Sequence, residues 1–347
     1  MATAGVDTVL LSVGSDLPYL TGYRAMPLER LTMLVLPILG DPVLVIPELE
    51  AARVVPDEAF TVQPWKETED PVAIVARLAA GSRHAVVGDQ TWAQFVLALA
   101  AALPDVTLGP AGALIGALRR RKTADEIERL RTAADAADEV MARLADSAFS
   151  GRSERAVARE IAELMLAFGH QTVEFTIVAS GPNGASPHHE PGDRVIEHGD
   201  AIVVDIGGRR DGYCSDTSRT FHVGPPEAEY RDAYAVLQRA QEVAVAAVRP
   251  GVPAQGVDRA ARTVIDEAGY GGRFIHRTGH GIGLDPHELP YIVEGNTQIL
   301  ESGMAFSIEP GIYRPGWWGM RIEDIVTVTE DGVERLNTLD RRLYIVG

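Results

Sequence analysis

Residues 201–221, AIVVDIGGRRDGYCSDTSRTF, decide the fold of the chain around them. They are typical of a strand, a tight turn and a returning strand, because Asp211-Gly212 is a strong signal for a two-residue β-hairpin. That turn pairs Arg210 with Tyr213 and thereby predicts the register of the whole hairpin.

Two carboxylates fall on one face of this predicted hairpin. Asp216 lies opposite Gly207 and diagonal to Asp205, and positions 205 and 207 share a face. The simpler alternative is a pair of surface aspartates beside a turn. However, Asp205 follows the apolar run AIVV, and a buried carboxylate is unfavourable unless it is paired or bound to metal.

A second stretch, residues 303–328, offers a counterpart. It is GMAFSIEPGIYRPGWWGMRIEDIVTV, again strand, connection and strand, with Glu309 on one arm and Glu323 on the other. Four carboxylates brought together would repel each other and have raised pKa values unless cations neutralise them. Two divalent ions about 3.5–4 Å apart would do so.

The second part of the chain repeats one order of elements. Two predicted helices precede predicted strands in each half, which suggests two related halves about a pseudo-twofold axis. The predicted elements of the first half are helices 124–148 and 153–168 and strands 172–180, 201–207 and 213–222. Those of the second half are helices 226–248 and 254–268 and strands 274–280, 304–312 and 321–329.

The first part of the chain alternates apolar runs with helical composition, which predicts an α/β unit with a mixed sheet. Its predicted strands lie at 7–13, 31–38, 42–47 and 84–89, and its predicted helices near 48–55, 70–80 and 91–102. Thr123 and Glu126 form a capping-box pattern that opens the next helix. We therefore expect an N-terminal domain over 1–113, a linker over 114–122 and a second domain over 123–347.

Composition limits the classes of function. The chain of 347 residues has a net charge of −17, which argues against a nucleic-acid partner. Its single cysteine, Cys214, fits a reducing compartment. The N-terminus MATAGVDTVLLSVGSD lacks a basic region, and no apolar run reaches membrane-spanning length. The expectation is a cytoplasmic protein without a membrane partner.

Residues 277–290, RTGHGIGLDPHELP, allow three interpretations: a phosphate cradle, a metal site or a plain loop. The phosphate cradle fails, because Pro286 stands where a third glycine is needed and no helix follows. Glycines on both sides of His280 let the backbone come close to a site. Together with four strand-borne acids, His280 is better interpreted as a metal ligand than as a loop histidine.

These blocks together resemble one family. VVDIGG, SDTSRTF, TGHGIGLDPHE, SIEPGIY and RIED are similar to the pita-bread metallopeptidases, in the branch of prolidase and aminopeptidase P. The resemblance covers the whole chain and implies a creatinase-like N-terminal α/β domain followed by a pita-bread catalytic domain, an α+β arrangement of pseudo-twofold halves. It implies a dinuclear site whose ligands are Asp205, Asp216, His280, Glu309 and Glu323. Asp216 and Glu323 would bridge the two ions.

The resemblance also implies residues that act on the substrate. His188 and His287 would donate hydrogen bonds to the substrate carbonyl and the tetrahedral oxyanion, and Glu309 would transfer a proton. The adjacent His189 leaves open which histidine is used. His276 and Arg321 correspond to family positions beside the site; a strand histidine packed there is the alternative for His276.

The implied activity is hydrolysis of Xaa-Pro bonds in short peptides, by a homodimer. An oxygen-rich ligand set favours Mn²⁺ or Co²⁺, with Zn²⁺ as an alternative. We expect an Xaa-Pro dipeptidase; the alternatives are aminopeptidase P, a methionyl-type aminopeptidase and a non-catalytic peptide-binding relative. Family members often place a basic residue after the HExP block, where this chain has Tyr291. Arg273, Arg277 or Arg314 could supply the missing cation instead.

Overall fold

The computed structural model describes all 347 residues, which form two compact units, Met1–Arg119 and Arg120–Gly347. None of the helices combines the length and hydropathy that crossing a bilayer requires.

The first unit is a six-stranded mixed sheet with helices on both faces, as expected. The strand order is β4-β3-β2-β1-β5-β6. In chain order the elements are β1 (Thr8–Leu11), α1 (Asp16–Thr21), β2 (Met33–Pro37), β3 (Val43–Pro47), α2 (Glu48–Ala51), β4 (Thr61–Trp65), α3 (Pro71–Leu78), β5 (His84–Val87), α4 (Ala93–Ala102), β6 (Thr107–Pro110) and α5 (Gly112–Arg120). Val9 and Leu11 of β1 pack into one core and Leu10 into the other, so the central strand is buried on both faces.

The two edge strands of this sheet, β4 and β6, have no counterpart among the predicted strands. Their sequences, TVQPW and TLGP, contain proline and glycine, which weaken a strand pattern. Their outer positions are exposed, so the alternation of buried and polar residues is also weak. Helix α5 occupies most of the segment predicted as a linker.

The second unit contains two helix pairs, each packed against a sheet. In chain order the elements are α6 (Ala124–Leu144), α7 (Glu154–Ala167), β7 (Thr172–Ser180), β8 (Ala201–Arg210), β9 (Tyr213–Val223), α8 (Ala228–Ala247), α9 (Ala254–Glu267), β10 (Gly279–Gly281), β11 (Glu288–Ile292), β12 (Ala305–Ile308), β13 (Gly311–Arg314), β14 (Trp318–Arg321), β15 (Asp324–Val328), β16 (Val333–Arg335) and β17 (Tyr344–Val346). The sheets are β17-β9-β8-β7 and β11-β10-β12-β15-β16, with β13-β14 as a separate ribbon.

The predicted repeat of element order is present in this unit. One core is built from α6 and α7 against β7, β8 and β9, and another from α8 and α9 against β12 to β15. Helix α6 begins with the predicted capping box, in which the Glu126 N–H donates to Thr123 Oγ1 and the Thr123 N–H donates to Glu126 Oε2.

The hairpin of β8 and β9 has the predicted register. Arg210 pairs with Tyr213, and Gly207 pairs with Asp216. Asp211 and Gly212 both have positive φ, 50° and 84°, as a two-residue turn matched to the twist of the strands requires. All residues of β9 are buried, so its polar side chains lie inside the protein.

The predicted strand 274–280 is mostly wrong, because only its last two residues belong to β10. Here side chains of α9 bind the backbone instead of a neighbouring strand. Arg262 donates to the carbonyl oxygens of Phe274 and His276, and Asp258 accepts from the N–H of Thr278. The segment therefore reaches His280 as irregular chain with satisfied polar groups.

The two long strands predicted at 304–312 and 321–329 are each interrupted. The first breaks at Glu309-Pro310, because proline has no N–H to donate to a ladder. The second breaks at Ile322-Glu323, where Glu323 forms an isolated bridge with Ser218 of β9. Both interruptions coincide with the acidic residues of the predicted site.

Candidate active site

All nine predicted site residues line one cavity of about 400 Å³ in the second unit. They are His188, Asp205, Asp216, His276, His280, His287, Glu309, Arg321 and Glu323. The remaining lining residues are Phe175, Ile177, Pro187 and Arg277. The lining thus combines three apolar residues with ten that are polar or charged.

The strands explain how the carboxylates meet. Asp205 and Asp216 share the inner face of the β8–β9 hairpin, as the register requires. The isolated bridge between Ser218 and Glu323 brings the second half of the unit onto that hairpin. Ser218 lies two residues after Asp216, so both point to the same face of β9.

Three overlapping groups of side chains have potential ligand atoms within 4.8 Å of one another. They are Asp205 with Asp216 and Glu323, His280 with Glu309 and Glu323, and Asp216 with His280 and His287. Glu323 therefore belongs to both carboxylate-rich groups. Asp216 belongs both to the group with Asp205 and Glu323 and to the group with His280 and His287.

Glycines allow His280 to sit this deep. A side chain on Gly279 would collide with the carbonyl of Ser307, and one on Gly281 with the carbonyl of Leu289. The space beside these glycines is therefore filled by the backbones of neighbouring segments, which enclose His280 from both sides.

The His280 imidazole is oriented with a free nitrogen toward the acids. Its Nδ1 lies 3.1 Å from the carbonyl oxygen of Gly281, which can only accept, so Nδ1 carries the proton. Its Nε2 lies 3.6 Å from Asp216 Oδ2 and 3.4 Å from Glu309 Oε1. Burial lowers the pKa of His280 to about 3, with a contribution from His287, so the ring is neutral at pH 7.

The four carboxylates of the acidic cluster have one paired cation, the Arg321 guanidinium on Asp205. Burial, together with Asp205 and Glu309, raises the pKa of Asp216 well above its usual value. Burial and the neighbouring acids do the same for the pKa of Glu323. Burial raises the pKa of Glu309 to about 7, although Arg321 opposes the shift. Carboxylates so arranged need a counter-charge in order to be ionised together at neutral pH.

The residues present fit divalent cations. Asp205 Oδ1 is buried and has no hydrogen-bond partner, whereas Oδ2 accepts from Arg321 Nη2 at 2.5 Å. His280 Nε2 has a lone pair that no neighbouring carboxylate can satisfy unless one is protonated. An unpartnered oxygen, a bare imidazole nitrogen and four carboxylates in one cluster form a donor set suited to divalent metal ions.

Arg321 and His276 are connected through a residue that sequence reasoning missed. The Tyr313 hydroxyl accepts from Arg321 Nη1 at 3.0 Å and lies 2.9 Å from His276 Nε2. His276 Nδ1 donates to the carbonyl of Arg277, so Nε2 accepts the Tyr313 proton. Burial, with help from Arg321, lowers the pKa of His276 to about 3. The available signal was the position of Tyr313, four residues after Glu309.

Two serines orient the acids, and sequence reasoning missed both of them. Ser218 Oγ donates to Glu323 Oε2 at 2.7 Å and accepts from Arg321 Nε. Ser307 Oγ donates to Glu309 Oε1 at 3.2 Å and accepts from the N–H of His280. Each serine lies two residues from an acid, on the same strand face, and this spacing was the signal.

The two adjacent histidines of SPHHEP have different surroundings. His188 is exposed and lines the cavity. His189 Nε2 lies 2.8 Å from Glu154 Oε2, at the start of α7, and does not line the cavity. The structure therefore directs only His188 toward the acidic cluster.

His287 lies at the exposed rim of the cavity. Its ring centroid is 3.9 Å from that of His280, and its Nδ1 is 3.3 Å from an Nη2 of Arg277. Burial and the charge of Arg277 lower its pKa. Glu288, the residue that follows His287, forms an ion pair with Lys122.

Comparison with known proteins gives two family matches. The model of metallopeptidase family M24 matches residues 128–330, and the creatinase/prolidase N-terminal domain matches residues 1–121. A probable dipeptidase PepE of Mycobacterium bovis is 48% identical over 351 residues, covering 99% of this chain and 93% of the relative.

Two solved structures are closely similar. Dipeptidase PepE from Mycobacterium ulcerans superposes with a TM-score of 0.95 at 47% identity, covering 99% of this chain and 94% of that one. Recombinant prolidase from Thermococcus sibiricus gives a TM-score of 0.93 at 40% identity, covering 99% and 95%.

Proposed function

The chain belongs to metallopeptidase family M24, in its proline-peptidase branch with the pita-bread fold, and we propose that it is an Xaa-Pro dipeptidase. The observation that carries the proposal is the buried cluster of four carboxylates around a neutral imidazole. In this proposal residues 1–113 form the creatinase-like domain, 114–122 the linker and 123–347 the catalytic domain.

Five residues would hold two divalent cations: Asp205, Asp216, His280, Glu309 and Glu323. Asp216, Glu323 and His280 each belong to two of the overlapping groups, and the two carboxylates would be the bridging residues because each has two oxygens, whereas His280 has only Nε2 free. Asp205 would complete one position, and His280 with Glu309 the other. Such a pair of cations supplies a nucleophile at neutral pH by lowering the pKa of bound water to about 7.

The chain's own groups account for substrate activation. His188 and His287 line the cavity and can donate to the scissile carbonyl and to the oxyanion that develops from it. Glu309 Oε1 accepts from Ser307, which leaves Oε2 available to receive a proton and return it to the departing proline nitrogen. Arg321 would orient Asp205 by donating a hydrogen bond to it. His276 would act on Arg321 through the Tyr313 hydroxyl, which contacts both residues.

The substrate follows from the shape of the site. A bond before proline is a tertiary amide without an N–H, so its recognition does not rest on that donor. Phe175, Ile177 and Pro187 are the apolar residues of the lining, and such side chains suit a pyrrolidine ring. Prolidase is also the description of a closely similar structure.

Three further properties belong to the proposal. The oxygen-rich donors favour Mn²⁺ or Co²⁺ over Zn²⁺. The single buried cysteine supports a cytoplasmic location. The family resemblance supports a homodimer.

The test compares Ala-Pro, Ala-Pro-Ala and Ala-Ala as substrates of protein reloaded with Mn²⁺ or Co²⁺. We expect Ala-Pro to be hydrolysed with the highest kcat/KM. Glu323→Gln should reduce turnover by on the order of 100-fold or more, since it replaces a bridging ligand. Glu330→Gln, a matched change of an exposed glutamate, should have no effect. Faster cleavage of Ala-Pro-Ala or Ala-Ala would contradict the proposal.

A further inference from the structure

We propose that Lys122 is a positioning residue for His287, because its ion pair with Glu288 fixes the end of the loop that carries this histidine. The inference rests on the proposed function, in which His287 donates a hydrogen bond to the reacting carbonyl group. Neither Lys122 nor Glu288 lines the active-site cavity. Their effect on the reaction therefore passes through the neighbouring histidine.

The side chain of His287 is held only loosely by its own contacts. It is exposed, its hydrogen bond with Arg277 Nη2 is long at 3.3 Å, and its ring packs on His280 with the centroids 3.9 Å apart. Such an imidazole depends for its position on the backbone on either side of it. A shift of about 1 Å in a group that acts on the substrate can lower a rate by about 100-fold.

The backbone around His287 forms the loop 282–287, which connects β10 with β11. Gly281 at the end of β10 pairs with Glu288 at the start of β11, and the register shifts between His280 and Gly281. Regular strand pairing therefore does not continue up to the loop. Because Glu288 directly follows His287, whatever holds Glu288 also places the histidine.

The ion pair of Lys122 and Glu288 contacts this loop at both of its ends. Lys122 Nζ donates to Glu288 Oε1, and the two side chains are only 1% and 11% exposed. The pair also fills the space beside Gly283, where a Cβ would lie 2.6 Å from Glu288 Oε1 and 3.1 Å from Lys122 Cε. Because water screens a buried pair only weakly, it restrains the loop firmly.

Lys122 itself is anchored outside the loop. Its N–H donates to the carbonyl oxygen of Gly303 at 2.7 Å, and Arg121 forms an isolated bridge with Met304. The next residue, Thr123, is the N-cap of α6. The ammonium group is thus held by well-ordered backbone, and the pair ties the loop of His287 to the start of α6.

A buried ion pair is a poor device for stability alone. Apolar side chains of similar volume are often as stabilising, whereas removal of one partner leaves an unpaired buried charge. The pair differs from apolar packing in its direction, since a donor and an acceptor fix the distance between two backbone segments. A positioning role therefore predicts a loss of turnover that persists when stability is restored.

The kinetic test places Lys122→Met in wild type and in His287→Ala. In wild type we expect kcat for Ala-Pro to fall on the order of 10- to 100-fold, with Mn²⁺ content unchanged. In His287→Ala the same change should lower kcat by less than about twofold, because the positioned group is already absent. Lys66→Met, at an exposed lysine, is the matched control and should have no effect. Equal losses in both backgrounds, or loss of Mn²⁺ from Lys122→Met, would overturn the inference.

A second variant separates positioning from the effect of an unpaired charge. Lys122→Met combined with Glu288→Gln removes both charges, so its Tm should return toward that of wild type while kcat stays low. If Lys122→Met alone does not fold, this double variant replaces it in the comparison with His287→Ala. Recovery of both Tm and kcat in the double variant would refute a positioning role.

A spectroscopic measurement distinguishes this inference from the proposed function. Protein labelled with ¹³C-histidine and loaded with diamagnetic Zn²⁺ should show a nuclear Overhauser effect between the rings of His280 and His287, whose centroids are 3.9 Å apart. Lys122→Met should weaken this signal, and Lys66→Met should preserve it. If this pattern holds although wild type hydrolyses no Ala-Pro, the proposed function fails and the placement of His287 by Lys122 stands. An unchanged signal in Lys122→Met would contradict the inference, whatever the kinetics show.

Discussion

His280 and His287 are seven residues apart and their ring centroids lie 3.9 Å apart with the planes tilted by 44°, yet their nitrogens face different surroundings. His280 is buried with Nε2 between Asp216 and Glu309, whereas His287 is exposed and contacts Arg277. The group of Asp216, His280 and His287 would also allow His287 to be a ligand. Distance alone therefore does not separate the two roles, but the partners of each ring do.

Substituting the two histidines separately tests this assignment. His280→Ala should lower Mn²⁺ affinity at least about tenfold, because a ligand is removed. His287→Ala should leave Mn²⁺ content unchanged and lower kcat by about 10²- to 10³-fold, as for loss of an oxyanion donor. Metal content by mass spectrometry and steady-state kinetics give both quantities. Loss of metal from His287→Ala would reassign it as a ligand.

At the scale of elements, one buried carboxylate holds the segment that carries His188. Glu154, 0% exposed at the start of α7, accepts hydrogen bonds from Ser180, Asn183, His189 and the N–H of Gly192. Burial by itself would raise the pKa of Glu154, but these donors outweigh it and the pKa is lowered. The segment from β7 to Gly192 is thus tied to the helix at several points.

Glu154→Gln should therefore destabilise the protein in a pH-dependent way. Replacing an acceptor-only group that serves several donors should lower stability by about 2 kcal/mol at pH 7, or Tm by about 4–8 °C. Because the folded pKa lies below the unfolded value near 4.5, the carboxylate's contribution is complete above that value. It is lost as the pH falls through the folded pKa.

Thermal melts of wild type and Glu154→Gln at pH 7 and pH 4 measure the effect. The difference in Tm should shrink at pH 4, and Glu163→Gln, at an exposed position of the same helix, serves as the control. A difference in Tm that is independent of pH would contradict the assignment of the effect to the Glu154 charge.

The elements also show where sequence reasoning succeeds. The register of the β8–β9 hairpin was predicted to the residue, because a two-residue Asp-Gly turn permits one register and the buried face forbids a slip. The start of α6 follows from its capping box, and the ends of α7 and α9 follow from Gly169 and Gly269, whereas α6 ends at Leu144 and not at 148 as predicted. Asp205 and Asp216 share a face of the β8–β9 hairpin, as predicted, whereas His188, His276 and His287 lie in irregular chain and were identified through the family resemblance.

The strands in the second half of the second unit were predicted less well, for a physical reason. Strand patterns assume that backbone groups pair with a neighbouring strand, but around His276 they pair with side chains of α9. The interruptions at Pro310 and Glu323 likewise depend on tertiary contacts, such as the bridge to Ser218. Ser218 escaped notice because its partners Glu323 and Arg321 lie 105 and 103 residues away. Tyr313 and Ser307 escaped notice because turns of the chain bring His276 and His280, 37 and 27 residues away, into contact with them.

In the whole molecule, the duplicated order of elements brings four acidic side chains together. Each half contributes two acids, and the bridge between Ser218 and Glu323 connects the halves at the point where the acids meet. Without cations these carboxylates repel one another in a buried site, which opposes the packing of the halves. The same contacts that define the site therefore make the fold respond to metal.

Metal binding should consequently stabilise the protein as well as activate it. Mn²⁺ at about 100 times its dissociation constant adds about 2.7 kcal/mol of stability, or about 5–10 °C in Tm. Chelation should remove activity and this increment together while far-UV circular dichroism stays native, and added Mn²⁺ or Co²⁺ should restore both. Glu323→Gln should show a much smaller shift of Tm with metal than Glu330→Gln. An identical Tm with and without Mn²⁺ in wild type would contradict the dinuclear site, since ligands that bind only the native state must raise its stability.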